Sequence, residues 1–152
     1  MQRTEIFQPE GNTSQMQDGF TIHYKYLVVC PGLQFDRHNI GGLEENLGKN
    51  GVCSNYSYEH VQYTGECIRD FQSGNAVFSY LQSAIKCGGA PQKIMYLAEE
   101  AFQKQGVRGQ SNVSFYSANA DMFSVEKYTK VLNQIIEDRD IACAFPTEFN
   151  SY

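Results

Sequence analysis

The sequence lacks several features that would assign it to a specialised class of protein. It has no tryptophan and only 4 prolines in 152 residues, and no apolar run approaches the ~20 residues of a membrane-spanning helix. Positive charge is also scarce, because 12 Lys and Arg stand against 17 Asp and Glu and the net charge is −5. We therefore expect no nucleic-acid partner. The 10 Phe and 10 Tyr indicate one ordinary globular domain, or parts of two.

The cysteines do not have the spacing of a metal site. The sequence contains neither a CxxC pair nor a Cys/His cluster, so we expect no metal and interpret the five cysteines as reduced thiols. Cys67 and Cys143 fall at predicted core positions and are interpreted as inert packing residues. Cys30 is expected in the core by default, unless its turn meets a cofactor, and Cys53 lies in an irregular segment.

The N-terminal region reads as a β-ribbon with an Asp-Gly turn at Asp18-Gly19. The continuous apolar run at residues 24–30 then predicts a strand buried on both faces, and Pro31-Gly32 ends it. Residues 33–55 show no sustained period. We interpret them as a crossing segment between two structural units.

The rest of the chain alternates between helical and strand patterns. Helices are predicted over residues 61–71, with Ser57 as N-cap and Gly74 as stop, over 91–106, and after a cap at Ser124. Strands are predicted at residues 75–80, 112–116 and 141–145. The order β-α-β-α-β predicts an α/β fold of the Rossmann-like class, with an incomplete parallel sheet. We expect a segment of a longer protein or a truncated product, with a domain boundary between residues 42 and 43.

The most informative segment for chemistry surrounds Cys87. It follows a predicted strand and opens a helix, where a dinucleotide-binding fold has its phosphate loop, but it contains no GxGxxG. An NAD-dependent enzyme is therefore disfavoured. The helix N-terminus and the flanking Lys86 and Lys93 favour the thiolate form of Cys87, which makes it a candidate nucleophile or redox sulfur. A small buried residue before a helix cap explains the same pattern, and both interpretations stay open here.

Four segments together resemble the sulfide:quinone oxidoreductases of the eukaryotic mitochondrial type. They are residues 24–36, residues 40–43, residues 51–57 and, above all, the block Ile85-Lys86-Cys87-Gly88-Gly89-Ala90-Pro91-Gln92-Lys93-Ile94-Met95-Tyr96-Leu97. The Lys-Cys-x-Gly-Ala-Pro-Gln-Lys part of this block is long and specific. The resemblance extends from near residue 4 to about residue 141.

This resemblance implies a flavoprotein with two Rossmann-like domains. Members of the family oxidise hydrogen sulfide to sulfane sulfur at a cysteine pair beside FAD, and they reduce ubiquinone at the mitochondrial inner membrane. By resemblance, Cys87 is one redox cysteine, Lys93 approaches the flavin, Cys30 and Gly32 form a turn near FAD, and Thr4 meets the adenine end. Residues 1–42 would then be the C-terminal part of the FAD-binding domain, and residues 43–152 would be a partial second Rossmann-like domain.

The chain also departs from the family pattern. The GxGxxG that would bind the FAD pyrophosphate, the second redox cysteine and the C-terminal helices that attach the family to the membrane are not in this sequence. We therefore expect the isolated chain to hold FAD weakly and to be inactive. The alternative interpretation is a non-catalytic truncated protein that binds sulfur species or a full-length partner through an uncovered apolar sheet face.

Overall fold

The computed structural model describes residues 3–81, 85 and 87–146. The chain forms two compact units, Met1–Gly32 and Leu33–Tyr152. The expected assignment of residues 1–42 and 43–152 to two Rossmann-like domains stays a prediction. Across the described ranges, no helix is long and apolar enough to cross a membrane.

The N-terminal unit is a three-stranded antiparallel sheet in the order β1-β2-β3. Its strands are β1 (Thr4–Gln8), β2 (Thr13–Met16) and β3 (Thr21–His23). In the turn after β2, the Gly19 N–H donates to the Met16 carbonyl at 2.9 Å. Gly19 has φ +83°, a conformation that suits glycine because it has no Cβ. The predicted ribbon and its Asp-Gly turn are confirmed.

The predicted buried strand at residues 24–30 is wrong. The run is not a strand, and Tyr26 and Val28 are 82% and 81% exposed. A strand that is apolar on both sides needs pairing neighbours and cover on each face. None of the described strands pairs with this run. Cys30 is consequently exposed rather than in the core.

The C-terminal unit begins with short turns and then forms a helix. A four-residue helix, α1 (Leu43–Asn46), precedes α2 (Val61–Asp70), and the segment between them is irregular, as predicted. The N-cap of α2 is His60 rather than Ser57. Ser57 lies one turn earlier, where its hydroxyl is 2.7 Å from His60 Nδ1. The helix ends at Asp70, before Gly74, which instead opens the next strand at φ +105°.

The centre of this unit is a parallel sheet. Its strands β4 (Gly74–Tyr80), β5 (Ser111–Ser117) and β6 (Ala142–Ala144) lie in that order. The helices α3 (Ala90–Lys104) and α4 (Glu126–Asp138) connect them in chain order. In the register, Phe78 pairs with Phe115, and Phe115 pairs with Cys143. The predicted β-α-β-α-β order and the α/β fold class are confirmed.

One face of this sheet is covered and the other is open. Along β5, buried and more accessible residues alternate, and Val113 and Phe115 are buried. On the opposite face, Val77 of β4 and Tyr116 of β5 are 62% and 42% exposed. The covered face packs in a core with α3, α4 and the segments beside them, formed by Met95, Ala98, Phe102, Val113, Phe115, Met122, Ile136 and Ile141.

Two details of the helices depart from what the sequence pattern indicates. The apolar Leu97 of α3 is exposed, and the charged Glu99 is buried instead. The N-cap of α4 is Val125 rather than Ser124. At this end the Thr129 hydroxyl donates to the Phe123 carbonyl at 2.7 Å, so a side chain from inside the helix stabilises the chain that enters it.

Glu99 is accommodated by two arginines. Its carboxylate, fully buried, lies 2.8 Å from Arg139 Nη1 and 3.3 Å from Arg108 Nε. Arg108 also donates to the carbonyls of Ser111, Arg139 and Asp140 at 2.7–2.9 Å. This network joins α3 to the segments that enter β5 and β6, so it fixes the helix that begins at the cysteine loop.

Candidate functional site

Cys87 lies in the turn that leads into α3 and is exposed to solvent. Its carbonyl accepts the N–H of Ala90, the first residue of the helix, at 3.0 Å. Gly89 is the N-cap, Pro91 occupies the first turn, and that turn contains no acidic residue. Proline suits this position because the first helical N–H groups have no partner within the helix. Cys87 is thus next to the positive end of the dipole of a 15-residue helix. No acidic side chain in the first turn of the helix offsets this positive charge.

Three aromatic residues surround the cysteine turn. The Tyr56 hydroxyl donates to the Cys87 carbonyl at 3.5 Å. A Cβ placed on Gly88 would lie 3.6 Å from both the Phe123 ring and the Tyr80 hydroxyl. Burial raises the pKa of Tyr56, and the neighbouring Cys87 and Tyr80 raise it further, so Tyr56 remains a neutral donor at physiological pH. The sequence does not reveal that these residues belong to the site, because only the fold brings them to Cys87.

A buried amide holds one of these aromatic residues in place. The Gln92 side chain is buried and donates to the carbonyl of Met122. Thr129 holds the next carbonyl, that of Phe123. Together these bonds fix the loop before α4 against the start of α3. The Phe123 ring is therefore positioned beside Gly88 by hydrogen bonds as well as by packing.

A groove extends from the cysteine turn between α3 and α4. It has a volume of about 530 Å³ and begins at Gly89 and Lys93. Its walls include Leu97 and Val131, which are both more than half exposed. A volume of this size is within the range of pockets that bind small organic molecules. The groove therefore combines an apolar surface with Lys93 near the N-terminus of α3, and it begins at Gly89, two residues after Cys87.

The predicted site residues fall into two groups. Cys87 and Lys93 lie together at the start of α3. Cys30, Gly32 and Thr4 belong to the N-terminal unit, where the Thr4 hydroxyl contacts the Met16 sulfur at 3.5 Å. Lys86 lies outside the described residues. The expected contacts of Lys93, Cys30, Gly32 and Thr4 with FAD stay predictions.

Two cysteines that are distant in the sequence are neighbours in the fold. Cys53 and Cys67 are half-buried, and the Cys67 thiol is near enough to influence the protonation of Cys53. Burial, together with Cys67, raises the pKa of Cys53 to about 11. The 13 residues that separate them in the sequence give no sign of this contact. Within the described part of the chain, no group of three or more His, Cys, Asp or Glu could hold a metal ion.

The parallel sheet, its connecting helices and the cysteine turn define a partial Rossmann-like α/β fold. A similar fold occurs in the sulfide:quinone oxidoreductase of Aquifex aeolicus, with a TM-score of 0.68 and 21% identity over 95% of this chain and 34% of that one. A chain in the cryo-EM structure of the Tetrahymena thermophila mitochondrial ATP synthase gives a TM-score of 0.70 and 18% identity over 95% of this chain and 37% of that one. The fold alone thus does not determine the activity.

Similarity in sequence identifies the relatives of this chain more specifically than similarity in fold. The mitochondrial sulfide:quinone oxidoreductase of Dictyostelium discoideum is 44% identical over 90% of this chain, and that of Mus musculus is 39% identical over 92%. The Schizosaccharomyces pombe enzyme is 37% identical over 82%. No protein-family model matches the chain. The chain is thus a homologue of the mitochondrial sulfide:quinone oxidoreductases, and it spans 28–31% of the length of these three relatives.

Proposed function

We propose that this chain forms part of a flavin-dependent sulfide:quinone oxidoreductase and that Cys87 is one of its two redox cysteines. The observation that carries the proposal is the exposed Cys87 at the entrance to α3, within the block that resembles the cysteine loop of the family. The names of the homologous proteins support sulfide and quinone as substrates. These names also support a mitochondrial location. The resemblance to the family further implies the mitochondrial inner membrane.

The proposed chemistry at Cys87 is sulfur transfer. Sulfide, as HS⁻, attacks the Cys87 sulfur of a disulfide between Cys87 and a second cysteine outside this sequence. A Cys87 persulfide forms, the disulfide bond breaks, and the second cysteine leaves as a thiolate. FAD, when bound, supplies an acceptor for two electrons on their way to ubiquinone. The exposure of Cys87 gives sulfide access to the sulfur atom.

The residues at the start of α3 fit the flavin-facing part of such a site. Nothing lies within 4 Å of a Cβ placed on Gly89, so the backbone at the helix N-terminus is open to the close approach of a ligand. Lys93 adds a positive charge to the lining of the groove. The GxGxxG that grips the pyrophosphate is not in this sequence. The chain therefore fits one side of the cofactor, and we expect it to hold FAD weakly by itself.

The aromatic residues around Cys87 act as positioning residues. Tyr56 holds the Cys87 carbonyl, and Phe123 and Tyr80 flank the adjacent Gly88. With the carbonyl and the next residue held, the orientations open to the thiol are restricted. This preserves the alignment of three sulfur atoms that disulfide exchange requires.

A second candidate function is non-catalytic binding of a partner through the open face of the parallel sheet. The exposed Val77 and Tyr116 on this face favour it, because doubly wound sheets normally have helices on both faces. A purified chain that stays soluble only with a full-length partner, and binds no flavin, would support this alternative.

Sulfur loading from inorganic polysulfide tests the proposal without the second cysteine. The thiolate takes one sulfur atom from the polysulfide chain, which becomes one atom shorter, and peptide mass spectrometry locates the persulfide. We expect Cys87 to load faster than Cys30, the matched exposed thiol, and Cys87→Ser to abolish the loading at this peptide. Equal loading of Cys87 and Cys30 in the folded chain would contradict the proposal.

A further inference from the structure

The groove between α3 and α4 continues past the residues assigned to the proposed oxidoreductase chemistry. Its volume is about 530 Å³. The α3 residues that line it are spaced three and four positions apart from Gly89 to Glu100, so they form one face of the helix. A rise of about 1.5 Å per residue makes this face about 16 Å long. A slender molecule thus has room to lie along the two helices.

The middle of the groove is apolar and open to solvent. Its walls include Leu97 of α3 and Tyr128 and Val131 of α4, which are 55%, 56% and 59% exposed. At one end, the Phe123 ring packs edge-on against Tyr128, with 6.1 Å between the ring centroids. Removing such apolar surface from water is favourable. The groove therefore favours a ligand with an apolar chain.

The charged residues of the groove leave an excess of positive charge. They are Lys93, Glu100 and Arg139. Glu100 is already paired with Lys104, at 2.6 Å. Lys93 forms no ion pair with any other residue that the structure describes. Since complementary charge helps a site to select its ligand, this groove favours a ligand with a negative charge.

Arg139 is the cation best placed to bind an acidic group. It lies at the end of the groove away from Gly89 and is 37% exposed. Its Nη1 donates to the buried Glu99 at 2.8 Å. Because Glu99 also pairs with Arg108, two positive charges share one carboxylate. A guanidinium has several N–H donors in a planar fork, so Arg139 retains donors that match a second carboxylate.

The wall beside Arg139 contains a polar group without a partner. Tyr96 lines the groove, and the Arg139 guanidinium lies over its ring, 5.7 Å from the centroid. The Tyr96 hydroxyl is buried and has no hydrogen-bond partner among the described residues. Burial raises the pKa of Tyr96, so this hydroxyl keeps its proton. Buried hydroxyl groups normally have partners, and an acceptor atom of a ligand would supply one.

We propose that this groove binds a single-chain carboxylate amphiphile of the medium-chain fatty acid class. The carboxylate binds Arg139, and the apolar chain lies along Leu97 and Val131 toward Phe123. The volume of the groove is in the range of small-molecule sites. Neither Cys87 nor a flavin takes part in this binding, so the site is separate from the proposed oxidoreductase function.

Dodecanoate is the probe, in isothermal titration calorimetry of the full chain at concentrations too low for micelles. We expect one saturable site. Arg139→Gln should weaken binding by about tenfold or more, because it removes a charge-assisted hydrogen bond. The matched control is Lys130→Gln, which removes an exposed cation of α4 outside the groove and should leave the affinity unchanged. Unchanged affinity in Arg139→Gln, or an equal loss in both variants, would overturn the proposal.

A second variant tests the apolar wall and leaves every ion pair intact. Val131→Glu puts a negative charge at an exposed position of the wall and should abolish binding. Val77→Glu is its matched control on the open face of the sheet and should bind dodecanoate normally. Loss of binding in Val77→Glu, with binding retained in Val131→Glu, would overturn the assignment to the groove. Circular dichroism of each variant verifies the fold.

A change of head group tests the charge of the ligand. Dodecyltrimethylammonium has the same chain as dodecanoate with a positive head, and it should not bind. Equal binding of the two amphiphiles would overturn the proposal, because adsorption to apolar surface would then explain both. Cys87→Ser should bind dodecanoate like the wild type, so the result is independent of the role proposed for Cys87.

Discussion

The buried Glu99 gives the most quantitative prediction from this structure. Its carboxylate has no exposed surface and contacts both Arg108 and Arg139. In Glu99→Ala, two guanidinium groups lose their counter-charge. Breaking a buried ion pair by removing one partner costs about 3–5 kcal/mol.

The expected loss lies at the lower end of that range. Arg139 is 37% exposed and regains water when the carboxylate is removed. Arg108 keeps three backbone carbonyls as acceptors. We therefore expect Glu99→Ala to lower the free energy of unfolding by about 3 kcal/mol, which corresponds to about 6–12 °C in Tm for a domain of this size.

The assay is urea denaturation followed by circular dichroism, with Glu100→Ala as the matched control. Glu100 is the adjacent residue on α3, and it pairs with Lys104 on the exposed face of the helix. This variant should show no measurable loss, because solvent-exposed pairs contribute little. A loss below about 1 kcal/mol in Glu99→Ala, or an equal loss in both variants, would refute the role assigned to the buried network.

Three further predictions concern other parts of the C-terminal unit. Replacing the buried Gln92 by Leu removes the donor that holds the loop before α4, and it should cost about 1–3 kcal/mol in chemical denaturation; an unchanged midpoint would contradict this. Gly48→Ala should destabilise more than Gly51→Ala. Both have positive φ, +82° and +79°, but only at Gly48 would the new Cβ meet a side chain, at 2.4 Å from the His60 ring, so equal losses would argue against that contact. Because Cys53 binds its proton more tightly in the folded state, with a pKa of about 11 against an ordinary 9.0, stability should be constant below pH 9 and fall between pH 9 and 11. The fall should be on the order of 1 kcal/mol after allowance for solvent screening, and it should be absent in Cys53→Ser, which a pH series of urea melts would check.

The parallel half of the fold was predictable from the sequence because local and global signals agree there. The alternation along β5, with Val113 and Phe115 buried, and the position of Pro91 in the first turn of α3 are short-range properties. Residues 24–30 show the opposite case. Their apolar character indicates a strand, but a strand exists only with pairing neighbours, which composition does not reveal.

The site was predictable at one residue and not in its surroundings. Cys87 could be singled out because the thiol and the helix start are close in sequence. The Tyr56 bond to its carbonyl and the position of Phe123 beside the adjacent Gly88 span more than 30 residues and depend on the packed fold. Burial of Glu99 in place of Leu97 also required the structure, because its two arginine partners come from other segments.

The most direct test of the account is the rate at which Cys87 reacts with iodoacetamide in the folded and the urea-unfolded chain, measured at neutral pH by peptide mass spectrometry. Folding places Cys87 exposed at the positive end of α3. We expect faster alkylation of Cys87 in the folded chain, by about fivefold or more, while the exposed Cys30 reacts at similar rates in both states. Equal or slower alkylation of Cys87 in the folded chain would contradict the claim that the fold prepares this cysteine for sulfur chemistry.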